Sequence, residues 1–133
     1  MSGNLINRST TDKIIKAFYY VYNRLGYRFL EKVYENALVM VLRQYGCKVA
    51  QQTPIKVYFE GELVGDYYAD IIVNDCVIVE LKTAESIAEA HEAQLINYLR
   101  ATDIEVGLLL NFGTEPEFRR KVFSKTAKGN LRR

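Results

Sequence analysis

The stretch "DYYADIIVNDCVIVELK", residues 66–82, reads as two apolar strands joined by a short turn. Three charged residues interrupt its isoleucines and valines: Asp70 on the first strand, and Glu80 and Lys82 on the second. A strand that is apolar on both faces normally lies mid-sheet under helices. An unpaired charge there costs several kcal/mol, by a rough estimate. The charges must therefore pair with each other, lie at the rim of the sheet, or bind a cation.

Whether Asp70 meets Glu80 depends on the length of the turn. Glu80 and Lys82 are two residues apart and point to the same face. A two-residue loop at Asn74-Asp75 would pair residue 70 with 79 and place the two carboxylates on opposite faces. A three-residue loop would pair 70 with 80 and place them on one face, and it usually needs a left-handed residue. The sequence leaves both registers open.

The segments around this stretch predict an α/β (α+β) fold, in which helices flank both faces of a mixed central sheet. Apolar residues at helical spacing predict helices over residues 11–25, 29–45 and 86–103. Short strands are expected at 47–52 and 55–61 on either side of Pro54, and a buried strand at 106–113 that runs parallel to 76–82. Residues 115–125 fit a last short helix. The predicted order is α-α-β-β-β-β-α-β-α.

The 133 residues suit one domain, which we place at residues 11–123 between a flexible N-terminus, 1–10, and a basic, flexible tail, 124–133. From Arg119 onwards the chain carries seven Lys or Arg and no acid, whereas residues 1–118 have a net charge of −5. Such a basic end attracts phosphates, although a solvated terminus has the same composition. There is no apolar run of membrane-spanning length. Two cysteines form neither a disulfide framework nor a zinc site, which suggests a cytoplasmic protein.

Two carboxylates on adjacent strands, followed by a lysine, are the groups that metal-assisted phosphodiester hydrolysis requires. Hard oxygen ligands hold Mg²⁺ or Mn²⁺, and the metal activates an attacking water. An ammonium can neutralise the charge that develops on phosphorus. The alternative is a plain salt bridge between Lys82 and an acid at the sheet edge. Short motifs of this kind also recur by chance.

The wider pattern resembles the PD-(D/E)XK nuclease superfamily and, within it, the GxxExxY family. The matching motifs are "LGYRFLEKVYENAL", "YADIIV", "VIVELK", "HEAQLINYL" and "GLLLNFG", in that order and across nearly the whole chain. One position departs from the pattern, because Arg28 stands where the family has its glycine. It could contact phosphate or be a tolerated surface residue.

The resemblance implies a restriction-endonuclease-like mixed central sheet flanked by helices. It also implies roles for individual residues. Asp70 and Glu80 would bind Mg²⁺ or Mn²⁺, with the Leu81 carbonyl as a further ligand and Glu31 completing the shell. Lys82 would be the catalytic lysine. Gln94 and Tyr98 would position the reacting groups. Separately from the resemblance, the positive charge of the chain's end leads us to expect that four basic residues bind nucleic acid: Arg119, Arg120, Lys121 and Lys125.

These expectations define competing functions. The leading one is a divalent-metal-dependent nuclease that acts on DNA or RNA, with specificity supplied by a homodimer or a protein partner. The alternative is a non-catalytic nuclease-fold module that binds nucleic acid or a protein. A third is a structural protein with a salt-bridged sheet. His91, the only histidine, fits the rim of the site and a plain surface position equally well.

Overall fold

The computed structural model describes residues 6–124, which form three helices and one five-stranded sheet. The expectations for residues 1–5 and 125–133, Lys125 included, lie outside this range. The strands are ordered β1-β2-β3-β4-β5, and all neighbours are antiparallel except β3 and β4. The elements are α1 (Arg8–Leu25), α2 (Glu31–Gln44), β1 (Val49–Phe59), β2 (Glu62–Val73), β3 (Val77–Lys82), α3 (Glu89–Arg100), β4 (Val106–Phe112) and β5 (Pro116–Val122). The predicted fold class is confirmed, as is the parallel pairing of β3 with β4.

The predicted order of elements is wrong in two places. The two strands expected on either side of Pro54 form the single strand β1, and Pro54 lies within its ladder opposite Tyr68. Proline is tolerated there because β1 is the edge strand of the sheet. The expected last helix is instead β5, paired with β4. Its apolar residues Phe118 and Val122 are four apart, a spacing that suits a helix or one face of a strand. The observed order is therefore α-α-β-β-β-α-β-β.

Helices cover both faces of the sheet. On one face α1 and α2 bury an aromatic cluster in which the Phe112 ring stacks on Tyr34 and meets Phe18 edge-on, with centroids 4.3 and 4.8 Å apart. On the other face α3 packs Leu95 and Leu99 into a smaller cluster. Burying each such side chain contributes about 1.5–3 kcal/mol. No helix between residues 6 and 124 is both long and apolar enough to cross a membrane.

Strand β2 separates from β3 partway along its length. The two strands pair only through Ile71–Val73 and Val77–Val79, and the turn between them has three residues. Asn74 and Asp75 supply left-handed backbone in this turn, with φ of 52° and 55°. Beyond the paired segment, β2 stays with β1, and residues 53–69 form a two-stranded ribbon that we call the β1–β2 arm. We call the point at which β2 leaves β3, at Asp70 and Glu80, the fork.

Candidate active site

At the fork, side chains replace the backbone hydrogen bonds of the sheet. The Asp70 amide donates to Glu80 Oε2 at 2.8 Å, and the Leu81 amide donates to Asp70 Oδ2 at 2.9 Å. Each carboxylate is therefore oriented by the backbone of the opposite strand. The three-residue turn thus brings Asp70 and Glu80 together, which is the register that hydrolytic chemistry needs.

The backbone of Leu81 also faces the fork. Its N–H points towards β2, where it meets the Asp70 carboxylate. The N–H and C=O of one strand residue point to the same neighbouring strand, because paired residues exchange both bonds. The Leu81 carbonyl is therefore directed into the same gap as the two carboxylates.

The acids of the fork hold their protons more tightly than exposed acids do. Burial, followed by the nearby Asp70, raises the pKa of Glu80 to about 8. Burial is also the main cause that raises the pKa of Asp70. Burial and then Asp70 raise the pKa of Glu31, which lies at the first residue of α2. Like charges held together in a desolvated place disfavour ionisation, so a cation bound among these carboxylates would favour their charged forms.

Lys82 places a positive charge near the three acids. It is half-buried at the end of β3, and its charge lowers the pKa of each of the three acids. Among residues 6–124, no carboxylate lies within 4.0 Å of its ammonium. The plain salt bridge considered above is thus not formed within that range. The ammonium remains available to a ligand.

A divalent cation fits the donors at the fork. Within residues 6–124, no three His, Cys, Asp or Glu side chains form a complete metal-ligand group. Magnesium does not need one, since it is usually bound by one or two carboxylates, retained waters and substrate phosphates. Asp70 and Glu80 are two such carboxylates, each held by one oxygen to a backbone amide. Their hard oxygens are the ligand type that such an ion prefers.

Helix α3 brings Gln94 and Tyr98 to the fork. Gln94 Nε2 donates to the Tyr98 hydroxyl at 3.0 Å, as expected for residues four apart on one helix face. Burial, then the charges of Glu80 and Asp70, raise the pKa of Tyr98 to about 12. Tyr98 therefore stays protonated as a donor. His91 accepts a hydrogen bond from the Ala88 amide at Nδ1, at 3.0 Å, and so caps the start of α3.

The sequence analysis missed Glu35, a buried acid one turn after Glu31. Only 3% of Glu35 is exposed, and it accepts hydrogen bonds from Gln51 at 2.8 Å and Gln52 at 3.1 Å. Gln52 also lies close enough to Asp70 to act against the rise in the pKa of that carboxyl, so one amide lies between the α2 acid and the fork. Gln52 has φ of 50°, and the pair Gln52–Asp70 is missing from the β1–β2 ladder. The spacing from Glu31 to Glu35, on one helix face, was the signal that could have revealed it.

Asn111, also missed as a site residue, fixes the chain just beyond Lys82. It is fully buried on β4 opposite Lys82. Its side chain accepts from the Ala84 amide and donates to the Ala84 carbonyl, both at 2.9 Å. A Cβ on Gly113 would lie 2.4 Å from that carbonyl, so only glycine fits there. The "NFG" at the end of β4 thus holds the segment that follows the lysine.

The tyrosine of the "LEKVY" motif has a structural role. Tyr34 is fully buried, donates to the Gly26 carbonyl at 2.5 Å and accepts from the Phe29 amide at 3.3 Å. These bonds tie down the loop that leads into α2 and thereby fix Glu31. Within this loop Arg28 has φ of 85°, a conformation that favours glycine. Glycine would adopt this backbone conformation without the strain that a side chain adds.

Replacing Arg28 by glycine should stabilise the protein. Left-handed backbone costs a side-chain-bearing residue about 1–2 kcal/mol, and the freedom of glycine in the unfolded chain offsets about 0.5–1 kcal/mol of that. We expect Arg28→Gly to raise the free energy of unfolding by about 0.5–1 kcal/mol in urea denaturation. Arg28→Ala, which keeps the Cβ, should give no gain. A gain of equal size in both variants would mean that the arginine side chain, and not the backbone, is the cause.

The basic residues proposed for nucleic acid lie on β5, at the far edge of the sheet from β1. Arg119 pairs with Glu117 at 2.8 Å, and Lys121 pairs with Glu92 of α3. Arg120 donates to the Ile6 carbonyl at 2.6 Å. The structure thus gives each of them an internal partner, and it does not bring them to the fork.

Comparison with known proteins places the chain in a family. A family profile described as the PD-(D/E)XK nuclease superfamily matches residues 8–121, and the chain therefore belongs to this superfamily. Membership supports a nuclease-type function. No curated protein matches the chain.

One solved structure, "Crystal structure of SSO0001", is similar, with a TM-score of 0.54 and 19% sequence identity. The match covers 75% of this chain and 54% of that one, so this chain spans about half of its length. At that identity the likeness concerns the fold alone.

Proposed function

We propose that this protein is a divalent-metal-dependent nuclease of the GxxExxY group that hydrolyses phosphodiester bonds in DNA or RNA. The observation that supports it is the reciprocal pair of hydrogen bonds at the fork, through which Asp70 and Glu80 are aimed into one gap beside Lys82. A protein that needed only a stable sheet would fill this place with apolar residues. The left-handed backbone at Arg28 supports the assignment to the group.

Asp70, Glu80 and the Leu81 carbonyl would hold Mg²⁺ or Mn²⁺, with Glu31 completing the shell directly or through water. A bound metal of this kind polarises the phosphoryl oxygens and supplies an activated water. Gln52 lies beside Asp70, and its hydrogen bond to Glu35 connects this edge of the fork to α2.

Lys82 faces the charge that grows on the phosphoryl group. Its ammonium, with no acid within 4.0 Å in residues 6–124, can donate to a phosphate oxygen or orient the attacking water. Tyr98 is a neutral donor held in place by Gln94, so its hydroxyl proton can also bond the scissile phosphate. A donor of this kind binds a phosphate without adding charge to the buried site.

The proposed partner is nucleic acid, and a homodimer or a protein partner would supply the specificity that so small a domain lacks. The cytoplasm is the proposed location, in keeping with two free cysteines, Cys47 and Cys76. Basic residues beyond Arg119 would add non-specific attraction to phosphates.

An activity assay tests the proposal. The wild type is incubated with labelled single- and double-stranded DNA and RNA, with Mg²⁺, Mn²⁺ or EDTA. We expect cleavage with metal, none with EDTA, and none by Asp70→Asn, which keeps an acceptor for the Leu81 amide but loses the charge. The matched control is Asp75→Asn, in the turn at the other end of β3, which should cut like the wild type. Metal-binding protein that cuts no substrate would favour the non-catalytic module.

A further inference from the structure

A groove runs between the β1–β2 arm and helix α3, next to the fork. It encloses about 860 Å³. Val57 and Tyr67 line it from the arm, and Ala93, Asn97 and Arg100 line it from the helix. Pockets of about 300–1,000 Å³ hold small organic groups, and this one is at the upper end of that range.

The groove opens onto the proposed catalytic groups. Tyr98 lines the groove together with its hydrogen-bond partner Gln94, and the charges of Glu80 and Asp70 act on Tyr98. A ligand in the groove therefore lies next to one bound at Asp70 and Glu80.

The groove suits a polyanion with flat apolar groups. None of the residues that line it is acidic, whereas Arg100 is cationic. Glu92 of α3 is directed elsewhere, since it pairs with Lys121 on β5. The amide of Asn97 is exposed and can donate or accept hydrogen bonds.

Tyr67 offers an aromatic face within the groove. Its ring is about half exposed, at 48%, and its centroid lies 5.9 Å from that of Tyr98. The ring lies directly against Gly65, where a Cβ would approach it to 2.8 Å. Glycine at this position thus allows the ring to lie along the strand and present a face to the groove.

We infer that this groove binds the single-stranded part of a nucleic acid, with one base stacked on Tyr67 and the adjoining phosphate at the fork. This inference rests on the proposed function, because the fork must recognise a phosphodiester. In a duplex the base faces are covered by their neighbours, and only an unstacked base can reach an aromatic side chain. Stacking of this kind tolerates any sequence, since every base has a π-face.

The test measures binding apart from cleavage. The full chain carrying Lys82→Met, which should bind metal without cutting, is titrated in Mg²⁺ with labelled oligonucleotides of about 12 nucleotides, in the range of single-strand site sizes, as single-stranded DNA, single-stranded RNA and duplex. We expect either or both single strands to bind more tightly than the duplex, and the two single-stranded arms separate DNA from RNA. Tyr67→Ala should weaken single-strand binding by about 5- to 150-fold.

The chain provides a matched control for the tyrosine. Tyr68 is the next residue and is similarly exposed, at 55%, but it does not line the groove. Tyr68→Ala should leave the affinity within about twofold, as surface substitutions usually change little. Ala93→Trp, which fills the groove from the α3 side and leaves the sequence of the arm unchanged, should weaken binding as Tyr67→Ala does. The melting temperature of each variant verifies that it is folded.

Several results would overturn the inference. They are no binding to either single strand, equal affinity for the duplex, or an equal loss in Tyr67→Ala and Tyr68→Ala. Sedimentation that shows a wild-type dimer dissociated by Tyr67→Ala would assign the groove to a second copy of the chain. Failure of the proposed function would give a different result. The groove would then bind single strands, but the protein would not cleave them with any metal. Conversely, cleavage that is unaffected by Ala93→Trp removes the groove inference and keeps the nuclease.

Discussion

Lys82→Met should abolish nearly all hydrolysis while leaving the fold and metal binding intact. Methionine keeps most of the apolar stem of lysine and removes only the ammonium. The lysine is at the last position of β3 and is half-buried, and in residues 6–124 its ammonium has no carboxylate within 4.0 Å. Loss of one well-placed charged donor typically removes about 2.7–4 kcal/mol of transition-state stabilisation, a factor of roughly 10²–10³ in rate. The measurement is kcat on whichever substrate the wild type cuts.

Lys48→Met is the control for this variant. Lys48 is exposed and pairs with Asp75 at 2.8 Å, near the turn at the opposite end of β3. Its replacement should cost at most about 1 kcal/mol of stability, as for other surface ion pairs, and should not change the rate. If Lys82→Met cuts at a rate close to that of the wild type, this lysine takes no part in the chemical step. If it fails to fold, its melting temperature will separate that outcome from a catalytic loss.

The charged residues of the site were predictable from sequence, because a charge within an apolar strand stands out. That Asp70 and Glu80 lie together was not predictable, because Asn74 and Asp75 both tolerate the left-handed backbone that either turn length requires. The turn was decided by tertiary structure, in which β3 lies under α2 and beside β4 and buries all of its first five residues. The sequence feature that came closest to indicating the turn length was the two-residue spacing of Glu80 and Lys82, which places both side chains on one face.

The errors in the fold have a common physical cause. Residues 116–122 carry apolar side chains four apart, and local periodicity cannot distinguish a helix from a strand in so short a segment. What determines the strand is the open edge of β4, which has seven buried residues and needs a partner. Likewise the left-handed backbone at Gln52 leaves no mark in the sequence, because glutamine has no preference for that conformation.

The acids of the fork should make the metal-free protein less stable as the pH rises. Glu80 has a pKa of about 8 in the fold and an ordinary value of 4.5 when exposed. The folded state therefore retains a proton that the unfolded state has lost, so stability falls as the pH rises from 4.5 to about 8. Glu80→Gln, which keeps an acceptor for the Asp70 amide and cannot ionise, should show a flatter melting temperature across this window.

Mg²⁺ or Mn²⁺ should reverse this loss. A cation that binds only the folded state at 100 times its Kd adds about 2.7 kcal/mol, or about 8–13 °C in melting temperature for a domain of this size. The shift should be larger at pH 8.5 than at pH 6.5, because below a pKa of about 8 the metal must displace the proton of Glu80. Asp70→Asn should lose most of the shift, whereas Asp75→Asn, exposed at the far turn, should keep it. Equal shifts in these two variants would show that the ions act on the surface in general, and the fork would then hold no metal.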